Sequence, residues 1–469
     1  MVSEKFRYQL RQEAEQWCSE GLINQELYDT FAQRYQFKDL DTAARNRFVM
    51  ILLGLGSILL GLAVITFVAA NWQVWSRGLK VILLLGVFVG VNVTGFYLWR
   101  TPGERWQSRL GQGLLLLGSL ILGANMALMS QMFHSSGSVY QLYLVWGLGV
   151  VAMAASLRLT MLGMLAVILT GIGYSRGLTN ALWNTNPLDP FQIGIQHMPL
   201  LATLAFIPLA YWCRSRWLFG MAAILAIGTL PINLTWHLSD FASFSYGFGV
   251  FILAIAFTLP PLLLWAYSNS LWGLYPNPGV SFRPIARALS VIFFSGVLYV
   301  ASFHGYWRSN SLSYLNNDVE ILWQDWLAFL DGLVFLGLTI FAWWRLGYQN
   351  KNYSFWRIDL TTTIFALMIL TYAVLLSCHF TFTDLGVLAT FVCNALLAVL
   401  AIGLIREALA EGMRRGFWWG ILILVLQILS RMVEYNTDLV FKAVVLFLCG
   451  IGIIVAGLWF ESHLKRLSK

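Results

Sequence analysis

The residue most at odds with its surroundings is Asp331, which ends the string Asp325-Trp-Leu-Ala-Phe-Leu-Asp331 inside a long apolar run. A carboxylate at the centre of a membrane helix costs about 3 kcal/mol on insertion scales, and less toward an end. Six residues of helix rise about 9 Å, so Asp331 is expected to lie shallow in its span. There it could carry a proton or bind a cation, with Arg431 and Lys442 as partners from the last two apolar runs. The plainer reading is a helix-start residue reaching the interface.

Histidines form the second group. His134, His197, His237, His304 and His379 fall in five different connections or at their edges, accompanied by Asp189, Asp240, Asp318, Glu320 and Asp384. Imidazole with carboxylate could bind a metal or sense pH. No two of these histidines have a ligand spacing such as His-x-x-x-His, which favours ordinary loop histidines and leaves the metal expectation at none. Searches for His-Glu-x-x-His, a phosphate-binding Gly-x4-Gly-Lys and a nucleophile elbow find nothing, so the chain is not expected to be an enzyme and no cofactor is implied. Five scattered cysteines give neither a disulfide framework nor a Cys-x-x-Cys motif.

A third group acts through the backbone. Pro208, Pro231 and the pair Pro260-Pro261 lie inside apolar runs, where each removes a helical hydrogen bond and is expected to kink its helix. Broken helices free carbonyls that can line a substrate path. With Asp331 and Arg431, these prolines make the candidate substrate path, although prolines also occur in membrane helices that merely pack.

The elements that must hold these residues are membrane spans. The chain has 469 residues, of which 58% are hydrophobic and 11% charged, a balance that excludes an ordinary soluble domain. Fourteen apolar runs, from Phe48–Ala70 to Leu439–Phe460, are long enough to span, with twelve or thirteen crossings also compatible because the runs over 140–213 are short and crowded. The expected fold is all-α, a polytopic transmembrane bundle of 12–14 spans with an N-terminal cytoplasmic helical hairpin. Alternate connections are rich and poor in Lys and Arg: 24 of the 30 basic residues fall on the side of the termini. Both termini are therefore expected in the cytoplasm. The net charge of +8 thus reads as orientation, and nucleic acid is not an expected partner.

Three regions follow from composition. Residues 1–47 are polar, too polar for a secretory signal, and form the hairpin. Residues 48–175 read as a Gly-rich five-span bundle in which Gly86-x-x-x-Gly90 and Ser119-x-x-x-Gly123 permit close helix approach. Residues 176–469 read as a Pro-kinked, aromatic-rich nine-span region. In the hairpin, Phe6, Leu10, Ala14 and Trp17 form one apolar stripe, Gly21 stands at a C-cap position, Asn24 is an N-cap, and Leu27, Phe31 and Tyr35 form a second stripe. About forty residues fold poorly alone, so residues 4–36 are expected to dock on a protein partner, a second copy or the membrane domain.

Short motifs add a resemblance. Gly21-Leu22-Ile23, then Gly61-Leu-Ala-Val-Ile-Thr-Phe-Val-Ala-Ala-Asn71-Trp72, then Gln131-Met-Phe-His134-x-x-Gly137 followed by Trp146, resemble the bacterial multi-pass proteins grouped as domain of unknown function twenty-one fifty-seven. The resemblance covers roughly residues 4–175 and implies an integral protein of the bacterial plasma membrane, with the lipid bilayer as its surroundings. It implies no activity, substrate or catalytic residue. Gln131, His134 and Gly137 form an outer-face polar motif that either satisfies backbone groups or contacts a ligand. Three functions are carried forward: permease-like translocation of a small or amphiphilic substrate, a scaffold or envelope-stress component recruiting a partner through its head, and an enzyme acting on lipid or cell-wall precursors at the outer face.

Overall fold

A computed structural model describes residues 4–35, 37, 59, 66, 74–101, 105–134, 137–181, 190–236, 246–269, 280–309, 323–348, 359–381, 385–435 and 438–467. The apolar run Phe48–Ala70, together with Gly61, Asn71, Trp72, His237 and the acids Asp189, Asp240, Asp318, Glu320 and Asp384, lies outside these residues apart from Leu59 and Thr66. All regular structure among the described residues is helical. Two compact units form, Met1–Val87 and Phe88–Lys469.

In the first unit, helices α1 (Glu4–Ser19) and α2 (Gln25–Arg34) form the head hairpin. Gly21 has φ +72°, the left-handed conformation that ends α1 without a Cβ penalty. Asn24 caps α2, its Oδ1 accepting the Leu27 N–H at 3.0 Å. Ala14 and Phe37 are buried, surrounded by Leu10, Trp17, Ile23, Tyr28, Phe31, Ala32 and Tyr35. Leu27 differs from expectation: it is exposed, as is Leu22, because Tyr28 and Phe31 take the inward face.

The membrane helices follow: α3 (Arg77–Arg100), α4 (Arg105–Met132), α5 (Val139–Leu157), α6 (Thr160–Ala181), α7 (Pro190–Gln196), α8 (Met198–Trp212), α9 (Arg216–Trp236) and α10 (Tyr246–Ala266). After them come α11 (Arg283–Ala301), α12 (His304–Ser309), α13 (Trp323–Tyr348), α14 (Leu360–Thr381), α15 (Gly386–Glu411), α16 (Arg414–Glu434) and α17 (Leu439–Leu467). Twelve helices among the described residues are long and apolar enough to cross a membrane, and α7 with α8, bent by 77°, make a thirteenth candidate. An all-α polytopic bundle is thus what the chain forms.

Two buried apolar clusters hold the second unit together. One joins α5, α6, α8 and α9, where Phe219 stacks on Phe282 at 4.8 Å and Tyr211 shares a 2.7 Å hydrogen bond with Tyr267. The other joins α10, α11, α14 and α15, with Trp265 stacked on Phe365 at 4.1 Å. A smaller cluster of Leu230, Leu234, Ile252, Ala256, Leu259 and Phe335 ties α13 to α9 and α10. The Gly-rich region packs through selected glycines. A Cβ on Gly111 would collide with the Trp99 backbone, and one on Gly123 with the Trp146 ring, whose Nε1–H donates to the Ser119 carbonyl at 2.7 Å. Nothing described comes within 4 Å of such an atom at Gly86 or Gly90.

Candidate functional site

The candidate site grows from a helix break. Pro190 opens α7 and Pro199 stands in the first turn of α8, where its fixed φ suits a helix start. Having no N–H, Pro199 cannot donate to the carbonyl four residues back, that of Ile195. The chain bends by 77° there, at His197. Asn233 on α9 repairs the break: its Nδ2 donates to the carbonyls of Ile195 at 3.0 Å and Gln196 at 2.7 Å. Its Oδ1 accepts the Tyr174 hydroxyl of α6 at 2.6 Å.

His197, the residue at the bend, meets Asp331. Nδ1 and Oδ1 are 2.7 Å apart, with the Asp331 side chain 2% exposed and the His197 side chain 17%. When the carboxylate is ionised, Nδ1–H donates to it and Nε2 is left for another partner. The Leu200 N–H, one residue beyond Pro199, is also directed at the Asp331 carboxyl. Asp331 Oδ2 is buried and makes no hydrogen bond of ordinary geometry. A buried carboxylate oxygen in that state is an open acceptor for a donor brought by a ligand.

Below this polar cluster lies an apolar cavity of about 200 Å³. It is bounded by α8 through Thr203 and Ile207, α9 through Ala223 and Ile227, α10 through Leu263 and Leu264, and α13 through Phe335 and Leu338. Phe335 and Leu338 follow Asp331 by four and seven residues, the spacing of one helix face. The carboxyl and the cavity therefore share a face of α13, with Leu230, Leu234 and Phe335 packed between the helices near it. An apolar cavity of about 150 Å³ holds a benzene, so this volume suits an apolar group of at least that size. A second recess of about 270 Å³ flanks the other side of the break, lined by Phe191, Gly194 and Met198 with Leu144 and Leu148 of α5.

The proposed path residues fall in two places. Pro208, Pro231, Pro260 and Pro261 lie in α8, α9 and α10, the helices that border the cavity, and each of those helices continues through its proline. The sharp bend falls instead ahead of Pro199. Arg431 lies apart: it pairs with Glu434, donates to the Ser302 carbonyl and covers the Phe303 ring at 4.2 Å. Glu434 in turn accepts the His304 N–H at 2.6 Å, so this cluster fastens α16 to the α11–α12 turn. Asp331 therefore meets His197, and Lys442 stands partly buried on α17.

Two of the other described histidines have local partners of their own. His379 Nδ1 accepts the Leu385 N–H at 3.1 Å and the ring meets Trp307 edge-on. His134 ends α4 with φ 51° and is exposed, its N–H directed at the Gln131 carbonyl. Gly137 precedes Ser138, whose N–H donates to Gln141 Oε1 at the start of α5. Among the described residues no group of three His, Cys, Asp or Glu could hold a metal ion.

Asn233 and Tyr174 were silent in the sequence, being polar groups within apolar runs. One signal existed: Pro199 four residues after Ile195 marks a carbonyl that needs an outside donor.

The family model described as Predicted membrane protein (DUF2157) matches residues 15–163. That is the N-terminal third, where the motifs around Gly21 and Gln131 carry the resemblance. The break, Asn233 and Asp331 all lie beyond it. No curated protein and no solved structure matches the chain.

Proposed function

We propose that this protein is a permease of the bacterial plasma membrane for a small amphiphile with an apolar body and a cationic or hydrogen-bond-donating head. The observation that carries this reading is the apolar cavity of about 200 Å³ between α8, α9, α10 and α13, on the α13 face that also bears Asp331. The tail occupies the cavity, and the head meets the open oxygen of Asp331 and the largely buried His197 ring. Repaired helix breaks of this kind recur at transporter binding sites, where a small change in the break alters access. Both termini face the cytoplasm in this reading, which follows the distribution of Lys and Arg. The protein does no covalent chemistry on its substrate.

The test is uptake of a labelled lipophilic amine or of tetraphenylphosphonium into proteoliposomes. Saturable uptake above protein-free liposomes is expected, lowered about tenfold or more by Asp331→Asn and by filling the cavity with Ala223→Phe. Uptake that never saturates, or that ignores both substitutions, would sink the proposal.

Exposed Leu22 and Leu27 on the head favour a second role in recruitment. We propose that residues 4–36 bind a protein partner or a second copy through that edge. Removing residues 1–44 should then change the co-purifying proteins or the oligomeric state, and an unchanged profile in both respects would defeat it.

A further inference from the structure

The start of α11 carries charges that nothing described neutralises. Arg283 and Arg287 are one helical turn apart and so share a face. Arg283 Nε, Arg287 Nε and Arg287 Nη2 are buried, and none has a hydrogen-bond partner among the described residues. Buried polar atoms are nearly always paired, and an unpaired charged donor is among the costliest exceptions. The acids closest in electrostatic terms to Arg287 are Asp359 and Glu407, both exposed, and neither reaches these nitrogens.

The surroundings hold Arg287 and the entry to its helix in place. The Arg287 guanidinium lies over the Trp265 ring at 5.1 Å, and Trp265 is fixed in turn by its Nε1–H donating to Thr362 Oγ1 at 3.2 Å. Asn269 bridges the entry to α11: its Nδ2 donates to the Val280 carbonyl at 2.8 Å and its Oδ1 accepts the Phe282 N–H at 3.0 Å. The Ser290 hydroxyl donates to the Pro261 carbonyl at 2.6 Å one turn further on. Two forked cations thus stand one turn apart at the positive end of a helix, with three buried donor nitrogens that meet no acceptor among the described residues.

We propose that Arg283 and Arg287 form a binding site for a phosphate group. Guanidinium forks match the tetrahedral array of phosphate oxygens, and two of them on adjacent turns can grip one phosphate from two directions. The same chemistry is offered by the headgroup of an anionic phospholipid and by soluble phosphate. In the topology proposed above this end of α11 meets the cytoplasmic leaflet, where anionic lipids are concentrated. The site is separate from the His197–Asp331 cluster and does not depend on transport.

Full-length protein in phosphatidylcholine nanodiscs, with or without phosphatidylglycerol, tests the site. After extraction into detergent, native mass spectrometry should show phosphatidylglycerol retained in preference to phosphatidylcholine. In the pure phosphatidylcholine discs, inorganic phosphate should raise the unfolding temperature if soluble phosphate is the natural occupant. Either response is expected to weaken about tenfold or more in Arg283→Gln/Arg287→Gln and to persist in Arg345→Gln, which removes a basic residue from a different helix. Wild-type protein that shows neither response overturns the site whether or not the variants fold. A response that the double variant retains in full overturns it equally.

Discussion

Asn233 uses three of its four hydrogen-bonding positions here, two donors on the Ile195 and Gln196 carbonyls of the helix break and one acceptor site on Tyr174. Leucine at that position would strand two carbonyls and a hydroxyl in a buried setting, each at about 1–3 kcal/mol. Asn233→Leu should therefore lower the unfolding midpoint in detergent more than Asp331→Asn, which keeps an acceptor facing His197. Equal midpoints for Asn233→Leu and the wild type would show that the break does not need this amide. Asp331 itself was conspicuous in the sequence, as an acid six residues inside an apolar run. Its partner was not, since His197 lies 134 residues away and resembles four other histidines at helix ends. Arg431 and Lys442 were attractive on charge alone, yet Glu434 sits three residues from Arg431 and meets it first.

Helices were read well and their breaks poorly, for a physical reason. Hydropathy over about 20 residues reports that a segment must bury its backbone in lipid or protein, so spans are visible from composition. A proline reports only a missing N–H, and neighbours decide whether the helix bends. Pro208, Pro231 and Pro260-Pro261 sit within continuing helices, whereas Pro199, close behind Pro190, coincides with a 77° bend. Glycines behave alike: density marked the region, but the contacts fall on Gly111 and Gly123 and not on Gly86 and Gly90. Gly111→Val should push α3 from α4 and cut the yield of monodisperse protein on size-exclusion chromatography. Gly86→Val should leave that yield near wild type, and a matching loss from both would refute the assignment of the α3–α4 contact.

Across the whole molecule, the basic residues predict sidedness. On a cysteine-free background, Val74→Cys should react with a membrane-impermeant maleimide added to intact cells, and Met413→Cys only after permeabilisation. Both sites are exposed and stand beside the ends of α3 and α16. The reverse pattern would invert the topology and move His197 and Asp331 to the inner face. Helix lengths carry a further consequence. α8, from Met198 to Trp212, has 15 residues and reaches roughly 22 Å, short of a hydrocarbon core of about 30 Å. α16, with 21 residues, reaches the full thickness at roughly 31 Å. Where α7 folds away from the axis of α8, the bilayer must thin locally to meet the shorter helix, at a fraction of a kcal/mol per Å. Headgroups and water are then expected to descend toward His197. The protein should therefore carry its own dimple in the membrane, and thickening the lipid should strain that side first.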